Sequence, residues 1–171
     1  MQRHALTMAT ALLGVGILTA CGSDKPTQPT NITYVATLSG ANERPNPTNS
    51  TATGTWTGVF NPSTNVMMYT LSYSGLSANS TGAHIHAQGD ANASVGVVLN
   101  FASFAGATTA FAPGVTSGSA AGSVDMAGGT VQGLAITGDS LKKAMDAGMA
   151  YVNVHSTTFG GGEIRGQIHK Q

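Results

Sequence analysis

The chain has 171 residues, with seven Lys and Arg balanced by seven Asp and Glu and only 8% charged residues. A near-neutral chain without a basic patch excludes nucleic acid as a partner, and a single cysteine, Cys21, excludes an internal disulfide. Gly, Ser, Thr, Asn and Ala take the place of charge, so the surface is polar through hydroxyls and amides and exerts little long-range steering.

Residues 1–20 read as a signal peptide. Arg3 and His4 form a short basic start, and residues 5–18 are mostly apolar, too few for a comfortable membrane span and without a stop-transfer flank. The stretch ends in Leu18-Thr19-Ala20-Cys21, which resembles the lipobox of bacterial lipoproteins. That resemblance implies cleavage before Cys21, a lipid on its sulfur, and the bilayer as a partner. Gly22 in place of Asp implies, by the same resemblance, outer-membrane sorting in a host with two membranes. Cleavage removes Arg3 and leaves six basic residues against seven acidic ones. Residues 21–31 carry Ser23, Pro26, Thr27, Pro29 and Thr30 with no apolar run, the composition of a tether. Residues 32–171 then form one domain.

Within that domain the strand signals follow one another with turns between them. Strands are predicted over 32–39, 54–60, 66–73, 83–87 and 95–101, with Asn61-Pro62-Ser63 as a turn. Tyr69, Leu71 and Tyr73 share one face. Residues 102–117 are rich in small side chains and give no clear element. Weaker strands are predicted over 121–126 and 131–136, and a short helix near 139–147, with Asp139 or Ser140 as its N-cap and Gly148 ending it. The last two strands, 150–155 and 163–169, flank a glycine-rich loop. The fold class is all-β, a Greek-key β-sandwich or flattened barrel with one short helix.

Alternation along three strands separates an apolar core face from a functionalised outer face. In Ala83-His84-Ile85-His86-Ala87, both histidines oppose Ile85; in Tyr151-Val152-Asn153-Val154-His155, His155 and Asn153 oppose the valines. Ile85, Val152, Val154, Ile164 and Ile168 are the expected core. Two histidines at i and i+2 can chelate one ion, neutral imidazole suits copper and zinc, and His155 is the candidate third ligand. Symmetric pairing of the last hairpin sets His155 opposite Glu163 and Asn153 opposite Arg165, so Glu163 is expected to hold the free N–H of His155. In that register His169 lies ~20 Å away and is excluded. Met67, Met68 and Met126 read as core residues rather than soft copper ligands. No nucleophile motif or other catalytic residue is expected.

Gly82-Ala83-His84-Ile85-His86, then Gly89-Asp90 and Val95-Gly96-Val97-Val98, then Tyr151-Val152-Asn153-Val154-His155 and Gly162-Glu163-Ile164-Arg165-Gly166-Gln167, resemble the chordin-type CHRD domain. Leu38-Ser39-Gly40-Ala41-Asn42-Glu43 fits the family's opening, so the resemblance covers nearly all of residues 32–169. It implies an extracellular β domain without a settled activity. Residues 82–90 are also similar to the G-x-H-x-H-x-x-G-D segment of copper-zinc superoxide dismutases, whose two histidines bind copper on the outside of a Greek-key barrel. That similarity implies His155 as a late copper ligand, Asp90 as a supporting residue, and Arg165 as a loose counterpart of the anion-guiding arginine. The chain departs from the dismutases in lacking the bridging histidine, the zinc cluster and the cysteine pair.

Three functions follow. The first is an envelope protein binding one copper ion through His84, His86 and His155, supported by Glu163, Asp90, Asn153 and Arg165, with zinc or no metal as alternatives. The second is a non-enzymatic surface domain with an envelope protein partner. The third is a dismutase-like redox enzyme.

Overall fold

The computed structural model describes residues 30–127 and 136–171. The segments read as a signal peptide and as most of a tether, with Cys21, and nearly all of the strand expected over 131–136 lie outside the described residues.

The chain first builds a meander from β1 (Ile32–Ser39), β2 (Thr53–Asn61) and β3 (Val66–Ser74). Side chains alternate as a half-buried sheet requires. Trp56 and Phe60 of β2, and Met67, Tyr69, Leu71 and Tyr73 of β3, point into the core. Threonines and serines occupy most intervening positions. The same alternation divides the methionine pair: Met67 is buried, while Met68 is 67% exposed. Met68 is therefore not a core residue, and Met126 is. At the β2–β3 turn, Asn61 Oδ1 accepts from the backbone N–H of Ser63 and Thr64, and Asn65 takes a left-handed conformation.

The chain then crosses to β4 (Ser80–Ala87) and β5 (Val97–Asn100), and returns through β6 (Ala107–Thr109) to β7 (Gly118–Asp125). Helix α1 (Gly138–Asp146) leads into β8 (Ala150–Ser156), β9 (Ile164–Gln167) and the two-residue β10 (His169–Lys170). The result is one curled antiparallel sheet of order β5-β4-β8-β9-β1-β2-β3-β7-β6, with β10 on β1. The fold is all-β with one short helix, as expected. Backbone bonds from Ser80 and Leu76 to Val115 and Thr116 tie the start of β4 to the approach of β7, across the curl. The small-residue stretch supplies β6 and two buried anchors, Phe104 tilted against Tyr69 and Phe111 stacked on Tyr73.

The predicted core holds: Ile85, Val152, Val154, Ile164 and Ile168 are fully buried. The helix begins one residue earlier than expected, and its N-cap is Thr137, not Asp139 or Ser140. Thr137 Oγ1 accepts from Ser140 N, because the chain is still extended at Thr137 and turns helical only after it. Gly148 follows the helix with φ 66°. Tyr34 Oη donates to Asp146 Oδ1 at 2.7 Å and fastens α1 to β1. No helix among the described residues is long and apolar enough to cross a membrane.

Candidate metal centre

β8 lies between β4 and β9, with His84 opposite Asn153, Gly82 opposite His155, and Asn153 opposite Arg165. The last pairing is the one the hairpin arithmetic predicts. His155 is thus diagonal to His84, and its cross-strand partner is a glycine. A Cβ at residue 82 would sit 3.1 Å from His84 Cε1, so Gly82 leaves the two rings room to meet. His84 Nδ1 and His155 Nε2 are 3.0 Å apart. One ligand nitrogen from each of His84, His86 and His155 falls within 4.8 Å of the others. An ion ~2.1 Å from three imidazoles needs nitrogens roughly 3.3 Å apart, so side-chain shifts of about an ångström suffice.

Two of the rings have their tautomers set by backbone carbonyls. His86 Nδ1 lies 2.7 Å from Val95 O, and His155 Nδ1 lies 3.0 Å from Gly160 O. A carbonyl only accepts, so each Nδ1 carries the proton and each Nε2 keeps its lone pair. This is the orienting bond that metal-bound histidines usually make. Asn153 Oδ1 lies 3.1 Å from His86 Nε2; with the proton on Nδ1, the Nε2 lone pair is satisfied only when that amide is turned to present its Nδ2. Burial pushes the pKa of all three rings down, and neighbouring histidines push His84 further, to about 4. The rings are therefore neutral at neutral pH, the protonation state that ligation requires.

The outer face that carries these residues is not open to solvent throughout. His86, Asn153 and Arg165 are buried beneath residues 89–95. Tyr151 stacks on His86 at 4.5 Å and nearly parallel, and the Arg165 guanidinium lies 3.4 Å over the Tyr151 ring. Arg165 donates to Ala93 O and Asp90 O, Gln167 to Gly89 O and Gly148 O, and Tyr151 Oη accepts from Val95 N. These side chains hold the segment whose Val95 carbonyl orients His86. His84 and His155 stay half-buried, which leaves the cluster reachable from their side.

Three expected supporting roles need correction. Glu163 does not hold His155: its carboxylate accepts from Ser50 Oγ at 2.6 Å and Ser77 N at 2.7 Å, and Gly160 supplies the carbonyl instead. Burial pushes the Glu163 pKa up, but those bonds and one from Ser156 outweigh it and keep the group ionised below the usual range. The Asp90 carboxylate accepts from Asn92 N in an exposed turn and acts on Arg165 only through space, while its backbone oxygen accepts from Arg165. Arg165 is 1% exposed and committed to the 89–95 segment, so it is a strut and not a freely exposed guide for anions. His169 is exposed on β10 and apart from the cluster, as expected. Sequence reasoning missed the roles of Tyr151, Gln167, and the carbonyls of Val95 and Gly160. Tyr151 and Gln167 were visible as polar-face residues by alternation; carbonyls carry no sequence signal.

Residues 34–168 match the family model of the CHRD domain. The chain belongs to the CHRD domain family. No curated protein sequence matches it significantly. Residues 82–86 and 151–155, both inside the matched span, lie on β4 and β8, the two strands that bring the three histidines together.

Proposed function

We propose that this CHRD domain is exported, anchored in the cell envelope through a lipid on Cys21, and binds one copper ion through His84, His86 and His155 for sequestration, delivery or sensing. The observation that carries the metal reading is the convergence of three neutral imidazoles, two of them oriented by backbone carbonyls. The donor set fits: three uncharged nitrogens favour Cu(II) over Zn(II) in the general affinity order, and both over hard cations. Bound copper would supply a redox-active Lewis acid. The chain's own residues hold the ring orientations and exclude water from the His86 side.

Metal content of the tag-free chain, then copper titration against a competing chelator, tests this. Wild type is expected to bind one Cu(II) more tightly than Zn(II). Alanine at His84, His86 or His155 weakens binding at least tenfold, and His169→Ala leaves it unchanged. Equal, weak binding by wild type and the triple-alanine variant would sink the metal reading.

A second reading, a surface interaction domain, is favoured by one feature. Exposed Met68, with Val59, Val66 and Thr57, lines a mostly apolar hollow of about 410 Å³ on the outer face of the meander.

A further inference from the structure

A cavity of about 340 Å³ opens where β1, β9 and the 89–95 segment meet. Its wall includes Thr37, Asn42, Arg44, Arg165, Gln167 and His169, and no carboxylate. Two guanidinium groups therefore face one hollow without an acid in its lining.

The hydrogen bonds show what each arginine has left to give. Arg165 is buried and makes no salt bridge among the described residues; the Glu43 and Asp90 carboxylates act on it only through space. It donates to Ala93 O, Asp90 O and Gln167 Oε1, which leaves two of its five N–H donors. Arg44 uses only Nη1, toward Ala41 O and Glu43 O. The Nε–Nη2 edge of Arg44, the fork that grips an oxyanion with two parallel bonds, is unused. The nearby acids do not fill the hollow. Asp90 bonds Asn92 N, and Glu43 is buried against Gly162.

We propose that this hollow is a binding site for a small solute bearing a carboxylate or phosphate group, gripped by the free edge of Arg44 over the buried charge of Arg165. Asn42 and His169 sit at its rim, where a polar body of the solute would meet them. The volume suits a small molecule. The site is separate from the histidine cluster, being centred on β9 and β1 rather than β4 and β8.

Calorimetric titration of the purified full chain tests the proposal. Inorganic phosphate, succinate and the neutral solute glycerol are compared at constant ionic strength. Saturable one-to-one binding of phosphate or succinate, and none of glycerol, is expected, and the tighter of the two names the oxyanion. Arg44→Gln should weaken binding at least tenfold. Thr37→Trp, at an exposed position on the wall, should abolish it by filling the hollow. Both variants leave the buried struts intact, so an unchanged melting curve is expected alongside. The triple-alanine variant at His84, His86 and His155 should bind the anion as wild type does. No saturable binding of either anion, or binding that survives both Arg44→Gln and Thr37→Trp, or binding lost with the three histidines, would overturn the proposal.

Discussion

Glu43 is 3% exposed, and its Oε1 has no hydrogen-bond partner. Gly162, at φ 133°, makes room for it; a Cβ there would sit 2.6 Å from Oε1. Burial pushes the Glu43 pKa up from 4.5 to about 7, against the smaller opposing pull of Arg165 and Arg44. The native state therefore binds more protons than the unfolded chain between those values, and stability falls as pH rises through that window. The loss is about 3 kcal/mol by linkage and is complete above pH ~7. Glu43→Gln keeps the shape without the charge, so it should remove this decline and melt higher than wild type at pH 8. Melting curves from pH 4.5 to 8 check it; parallel pH profiles for the two proteins would refute the assignment. Gly162→Ala should destabilise at every pH, because the φ and the Glu43 contact both oppose a side chain.

At the scale of elements, β8 is the strand on which both layers depend. Val152 and Val154 face the core, while Tyr151, Asn153 and His155 face residues 89–95 and the metal cluster. Val154→Asp places an unpaired charge at a fully buried position and should prevent stable folding. Loss of the cooperative melt and of dispersed amide resonances is the expected result, and an unchanged melting temperature would mean the facing is inverted. Helix α1 offers a milder case. Thr137→Ala removes the N-cap and should cost about 1 kcal/mol, whereas Asp139→Ala, which caps nothing, should cost no more than about 0.5 kcal/mol. Chemical denaturation of the two variants distinguishes them; a larger loss for Asp139→Ala would return the cap to it.

For the whole molecule, the proposal of an anchored domain turns on the chain before the fold. If residues 1–20 export the protein and Cys21 takes the lipid, Cys21→Ser should block palmitate incorporation and release the chain from the membrane fraction. A mutant that labels and fractionates as wild type does would end the lipoprotein reading. The anchor and the metal cluster are independent, since β1 begins at Ile32 and the histidines sit on β4 and β8. Cys21→Ser should therefore leave copper stoichiometry unchanged.

The sequence by itself determined the alternation. Period-two patterning needs only local chain geometry, so the all-β class, the buried faces of β4, β8 and β9, and the shared facing of His84, His86 and His155 were all legible. Symmetric pairing of the last hairpin added the register of Asn153 with Arg165. Tertiary structure decided what lies on top of that face. Alternation says which way a side chain points, not whether a distant segment covers it. Residues 89–95 fold back across β8 and β9 and convert an expected outer surface into a buried layer. The short loop after β8 puts the Gly160 carbonyl on His155 Nδ1 before Glu163 can reach it, and frees Glu163 for Ser50 and Ser77. The hollow beside Arg44 and Arg165 likewise exists only because β1, β9 and that returning segment meet, and no local pattern records such a meeting.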